Sequence, residues 1–178
     1  MKKQFSLLAG IIILAAFHSF AQNNNAIKTL VQSIRSHNNM EVSFTYQTTG
    51  DPETNEDLKE GKAYFQGKAY KLIMDDQHAI SDGETTWHYI IEDEEVMVGN
   101  AAEDDNPYTI LDELERDSSE LNPILDSKGK LTGLEIEIDE GVKIKLNIKE
   151  MKFDQDFPEG FFSFDKKAYP NADIIDMR

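Results

Sequence analysis

Residues 79–91 read AISDGETTWHYII and bring a serine, an aspartate, a histidine and the only tryptophan of the chain into thirteen positions. Ser81, Asp82 and His88 are the residue types of an acyl-transfer triad, in which a base takes the hydroxyl proton and a carboxylate orients the base. A triad is defined by geometry, however, and no Gly-x-Ser-x-Gly elbow surrounds any serine here. Asp82-Gly83 between two alternating runs is instead a hairpin signal, with Asp tolerant of left-handed backbone. The sequence supports no catalytic residue, and the protein is not expected to be an enzyme.

Metal chemistry finds as little support. Beyond residue 21 the histidines are His37, His78 and His88, and no HExxH or His-x-His spacing joins them. His78 and His88 flank one hairpin, which is their only claim to proximity. The acidic stretch from Asp51 to Asp57 has the charge of a calcium loop without its pattern. Glu56 stands where the sixth position needs Gly, and Lys62 where the twelfth needs Glu. These carboxylates read as solvated charge, and neither a metal nor a cofactor is expected.

The elements around these residues follow from hydrophobic period. Ile27, Leu30, Val31 and Ile34 form the i, i+3, i+4, i+7 stripe of an amphipathic helix over 26–36. The period then falls to two at Val42, Phe44 and Tyr46. KAYFQ and AYKLIM flank Gly67-Lys68 as a hairpin, with Tyr70, Leu72 and Met74 on one face. Trp87, Tyr89 and Ile91 share a face of the next hairpin, with His88 and Ile90 on the other, and a turn at EDEE leads to Val96 and Val98. Asn106-Pro107 opens a second short helix over 107–116, with Tyr108, Ile110, Leu111 and Leu114 along one side. Residues 118–130 read as irregular. Leu134, Ile136 and Ile138, then Val142, Ile144, Leu146 and Ile148, alternate with glutamates and lysines that pair across a solvent face. FFSF and the tail ADIIDMR close the chain.

This sums to seven to nine antiparallel strands with one helix before them and one between them. The expected fold is mainly β (α+β): a strongly curved antiparallel sheet or incomplete β-barrel, with two or so short helices on the concave face as a lid.

Charge and leader bound the setting. The chain has 178 residues, with 34 Asp and Glu against 18 Lys and Arg, a net charge of −16 and no cysteine. Lys2 and Lys3, an apolar run from Leu7 to Phe17, and Ser19-Phe20-Ala21 make a secretory signal peptide cut before Gln22. The apolar run is shorter than the roughly 20 residues of a membrane span. Residues 22–178 are then a single exported domain, and without a cysteine after the leader they are not lipidated. Such an acidic surface repels nucleic-acid phosphates and anionic headgroups, so neither is expected as a surface-bound partner. Thiol catalysis and disulfide staples are excluded.

Phe44, Tyr46, Tyr70, Leu72, Met74, Trp87, Tyr89 and Ile91 give the expected sheet an aromatic-rich apolar surface. Periodicity records burial and not what fills the space, so a packed core and a ligand cavity both remain open.

In order and spacing, GKAYFQGKAYKLIM, AISDGETTWHYIIEDEEVMVG, NPYTILDEL and FFSFDKKAYPNADIIDMR together resemble the outer-membrane lipoprotein carrier family, the LolA-like periplasmic chaperones. The resemblance spans most of the chain beyond the leader. It implies a half-open barrel whose apolar cavity shields lipoprotein acyl chains, or related lipids, in transit across the periplasm. The cavity would be lined by the eight residues above with Ile136, Ile144 and Leu146. The lid would be formed by the two helices through Ile27, Leu30, Val31 and Ile34, and through Tyr108, Ile110, Leu111 and Leu114. The resemblance also implies an inner-membrane lipoprotein-release transporter and an outer-membrane acceptor as partners, with the carrier itself expected to be a monomer. Two departures stand out. Many members carry a basic-Arg-Pro stretch at the first hairpin, whose Arg helps hold the lid closed, and this chain has Gln66-Gly67 there. The region after Glu115 is also compact. The alternative reading is a non-carrier envelope module of the same fold, sensing lipid or binding a protein.

Overall fold

The computed structural model describes residues 23–50, 57–101, 107, 112, 121–127, 131–139 and 141–178. The leader, most of the acidic stretch from residue 51, and Tyr108, Ile110, Leu111 and Leu114 lie outside the described residues.

Helix α1 spans Asn23–Arg35. It ends as Ser36 N donates to the carbonyls of Gln32 and Ser33, and His37 N to that of Ile34. Arg35 sits in the last turn, where a cation complements the helix dipole. Ile27, Leu30 and Val31 are buried and Ile34 packs beside them, so the helical stripe faces the core.

The remaining described elements are strands: β1 (Asn39–Thr49), β2 (Lys59–Gln66), β3 (Ala69–Met74), β4 (Gln77–Ser81), β5 (Thr85–Ile90), β6 (Glu95–Asn100), β7 (Leu121–Leu125), β8 (Leu131–Asp139), β9 (Val142–Phe153) and β10 (Asp173–Asp176). They form one open, curved sheet of ten strands in the order β10-β6-β5-β4-β3-β2-β1-β9-β8-β7. Strands β1 to β6 are a meander of antiparallel hairpins, and β9 returns to the free side of β1. The molecule is mainly β, as expected.

Four details correct the sequence reading. The described strands number ten rather than seven to nine, because Leu121–Leu125, read as irregular, pairs with β8. Pro123 hid this strand; it is tolerated because β7 is the sheet's outer strand, where a missing donor costs no ladder bond. The tail strand β10 runs parallel to β6, not antiparallel. FFSF is no strand but a pair of tight turns, with Phe161 N bonded to Pro158 O at 3.1 Å and Ser163 N to Gly160 O at 3.0 Å. The expectation of two lid helices is not borne out either. Among the described residues α1 alone is a complete helix, with Pro107 and Asp112 also in helical conformation.

The sheet has two differently covered faces. On the front face α1 packs on Met40, Val42, Phe44, Ala63, Phe65, Tyr70, Leu72, Ala79 and, from the other half, Leu134, Ile136 and Leu146, in one cluster. Gly61 makes room there for Phe44: a Cβ at Gly61 would lie 2.3 Å from the ring. On the back face β8 and β9 are polar, and Glu135 bonds Lys143 at 3.0 Å, the glutamate-to-lysine pairing expected from the sequence. Over the meander the back face is covered instead by the segment from Phe157 to Ala172.

Candidate functional site

The side chains that suggested chemistry are spent on a turn. The Asp82 carboxylate accepts hydrogen bonds from the backbone N–H groups of Glu84 at 2.9 Å and Thr85 at 2.8 Å. The buried Ser81 hydroxyl accepts one from Gly83 N at 3.1 Å. Gly83 itself has φ of 95°, the left-handed geometry that favours glycine. Ser81 is paired across the hairpin with Thr86, not His88.

Register decides where the aromatic residues lie. From β1 to β6 every hairpin pairs an even-numbered residue with an odd-numbered one: Val42 with Ala63, Ala63 with Leu72, Leu72 with Ala79, Ala79 with His88, and His88 with Met97. Antiparallel partners share a face. The front face therefore continues through His88, and Trp87 and Tyr89 belong to the back face, paired with Ile80 and His78. This corrects the grouping of Trp87 and Tyr89 with Leu72, and the reading of His88 as pointing away. Ile91 lies just past β5, with its N–H bonded to Asp76 O at 3.1 Å. His78 and His88 are on opposite faces and share no site. Among the described residues no three His, Asp or Glu side chains are grouped to hold a metal.

Phe44, Tyr46, Tyr70, Leu72, Met74, Ile136, Ile144 and Leu146 are brought together with Ile27, Leu30 and Val31 in the front cluster, each no more than 7% exposed. Beyond that cluster the same face runs onto Thr86, His88 and Ile90 of β5 and Met97 of β6, all half-buried. The front face thus has a densely packed apolar half and, beyond it, a half-buried strip of mixed polarity.

At the edge of the packed half lies a polar group. Lys59 is the β2 partner of Tyr46, its Nζ 6.0 Å from the ring centroid and 3.6 Å from the Asp76 carboxylate. Burial, and then the charges of Asp76 and Asp75, push the Tyr46 phenol well above its ordinary range.

The back face holds an aromatic layer that period-counting on strands missed. Phe161 stacks on Phe157 and meets Phe162 and Tyr64 edge-on, while Lys71 Nζ stands 4.9 Å from its centroid. Burial draws the Lys71 pKa down. Farther along, Tyr169 stacks on Phe164 and touches Tyr89 and His78. Trp87 packs there too, against the group formed by Val96, Val98 and Ala172. The signal for this layer was the density of aromatic residues in a turn-rich stretch: Phe157, Phe161, Phe162, Phe164 and Tyr169.

No family model matches the chain, and no curated protein does. Among solved structures it is similar to an uncharacterized conserved protein from Thermus thermophilus, with a TM-score of 0.51 at 8% sequence identity, over 84% of this chain and 96% of that one. It also superposes on a LolA superfamily protein from Nitrosomonas europaea with a TM-score of 0.44 at 13% identity, over 72% of this chain and 91% of that one. The first likeness bears on the fold alone.

Proposed function

We propose that this chain is a periplasmic carrier that holds the acyl chains of lipoproteins, or of related lipids, against the front face of its sheet between the inner and outer membranes. The observation that carries the reading is that the front face continues past the apolar cluster joined by α1, onto a half-buried strip where Ile90 and Met97 lie beside Thr86 and His88. The ordered motifs that resemble lipoprotein carriers support it independently. In this reading the protein performs no covalent step and needs no cofactor. It takes cargo from an inner-membrane release transporter and yields it to an outer-membrane acceptor.

The energetics are workable. Ile27, Leu30 and Val31 on the inner face of α1 are fully buried, and exposing each costs about 1.5–3 kcal/mol. Lifting the helix without cargo is therefore unfavourable. An acyl chain that takes its place regains about 0.8 kcal/mol per buried methylene, so roughly ten methylenes offset the opening. Exchange of helix for cargo then needs no external energy source.

A second reading, a non-carrier envelope module that senses lipid or binds a protein, draws on the packing of the front cluster itself. Phe44, Leu72, Leu134 and Ile136 are all within 1% of complete burial, as in a filled core. One experiment separates the two. The full chain is exported with its leader, purified from the periplasm, and analysed by native mass spectrometry and solvent extraction, with acyl-probe titration alongside. Bound acyl species and saturable probe binding are expected; the absence of both would sink the carrier reading.

A further inference from the structure

The two outer strands of the sheet are built differently. β7 closes one side and carries Pro123, a residue that blunts an edge against further pairing. β10 closes the other side with Asp173–Asp176 and holds neither proline nor lysine. Its ladder with β6 runs from Asp173 N, bonded to Glu94 O at 2.8 Å, to Met177 N, bonded to Val98 O at 2.9 Å. Main-chain groups alternate in direction along a strand, so those of Ile174 and Asp176 point to the open side. Ile174, Ile175 and Met177 are 51%, 42% and 49% exposed, three of the six large apolar side chains that stand exposed among the described residues. Ile174 shares the back face with Val96, and Ile175 shares the front face with Met97. The edge is therefore apolar on both faces, with main-chain donors and acceptors between them.

We propose that β10 is a docking edge for an extended strand of another protein, an apolar strand with lysine or arginine at one end. A strand laid against β10 meets Ile174 on one face and Ile175 on the other, so it must be apolar at consecutive positions. The charge requirement comes from the turn before β6. Glu92, Asp93 and Glu94 are exposed there beside Asp173, and they outnumber Lys166, whose ammonium donates to the Ala172 carbonyl. At the other end Asp176 is already taken by Arg178, with Nη2 at 2.7 Å. One end of the edge is thus acidic, and it sets which end of the partner strand is basic. A second copy of this chain fits poorly, because it sets a net charge of −16 against itself. The edge lies apart from the packed front cluster, so docking here requires no acyl cargo.

The test titrates the full chain, purified from the periplasm, with short synthetic peptides in a calorimeter. One is a run of valines and isoleucines ended by lysines, made with the lysines at either end. The second has glutamates in their place, and the third is the lysine peptide with its apolar amides N-methylated. The lysine peptide, in the better of its two orders, is expected to bind about tenfold more tightly than the glutamate peptide. It should exceed the N-methylated peptide, which cannot complete a ladder, by about the same factor. Binding should protect the Ile174 and Asp176 amides from hydrogen exchange. Ile174→Pro removes an outward donor while sparing the bonds to β6, so it should weaken the lysine peptide and leave the thermal midpoint unchanged. If that variant loosens β10, Asp173→Asn with Glu94→Gln keeps the strand and should lower both the affinity and its salt dependence. Equal binding of the glutamate or N-methylated peptide, no binding of any peptide, or unchanged affinity in both variants would overturn the proposal. So would a wild-type dimer that Ile174→Pro dissolves, since the edge would then belong to a second copy.

Discussion

His78 of β4 and Tyr169 of the C-terminal segment meet across the back of the sheet, Nδ1 standing 2.7 Å from the phenolic oxygen. This contact and the rings around it fasten the terminal segment to the meander. Burial, and then the Lys71 ammonium, hold the His78 pKa below the usual imidazole value of 6.5. Tyr89 from β5 and Tyr169 complete its ring contacts.

The pH dependence follows in sign. As pH falls, the unfolded chain protonates His78 first, near 6.5, while the folded chain resists. Stability is therefore full above about pH 6.5 and declines as pH drops from there toward the folded pKa. The thermal midpoint, followed by circular dichroism, should fall in the wild type as pH drops below about 6.5. It should fall less in His78→Gln. Equal slopes in the two proteins would remove His78 from the account.

Trp87 should report the back face and not the cargo. It packs against Val96, Val98 and Ala172, the group that Phe164 also packs against. Phe164→Ala opens that layer, so Trp87 emission should shift to the red, with a stability loss below the 3–5 kcal/mol typical of a fully buried phenylalanine. Saturating acyl probe should leave the emission unchanged. A probe-induced shift without loss of the terminal segment would return Trp87 to the cargo side.

The position of Trp87 also shows what the sequence disclosed and what it withheld. Alternation within each strand was legible: Tyr70, Leu72 and Met74 do share a buried face, and Asp82-Gly83 does turn the chain. The face shared between strands was not, because it depends on loop length. A two-residue shift in a turn preserves parity and a one-residue shift inverts every side chain beyond it. Counting Trp87 with Leu72 assumed one parity, and the pairing of Ala79 with His88 fixes the other. Strand β7 escaped because Pro123 argues against a strand anywhere but at an edge, and edges are not readable locally. The Tyr46 group escaped for a related reason: Lys59 and Asp76 lie near it only through the β1–β2–β3 register.

Gly61 offers a sharper test of front-face packing. Its missing Cβ is the space that the Phe44 ring occupies, and Phe44 is 1% exposed. Gly61→Ala should destabilise the fold by about 1–3 kcal/mol in urea denaturation, as overpacking does. Adding Phe44→Leu to that variant should recover part of the loss, because the smaller side chain vacates the contested volume. Strict additivity of the two substitutions would mean that they do not compete for space.

Arg35 at the end of α1 forms an ion pair with Asp112, which joins the helix to the stretch that the sequence reading offered as a second lid element. In the carrier reading this pair would be a tie at a different place from the first hairpin, where the chain has Gln66-Gly67. Both side chains are substantially exposed, at 37% and 61%, and such pairs contribute at most about 1 kcal/mol to stability. A tie of that strength changes how often a helix lifts without deciding whether the protein folds. Arg35→Ala and Asp112→Asn should each leave the urea midpoint nearly unchanged. In the carrier reading, each should speed release of a bound acyl probe by about two- to fivefold, the kinetic equivalent of less than 1 kcal/mol. The acceleration should shrink at high salt, where the wild-type pair is itself screened. Stopped-flow dilution of probe-loaded protein measures it, and release rates identical to wild type at low salt would show that this ion pair does not restrain α1.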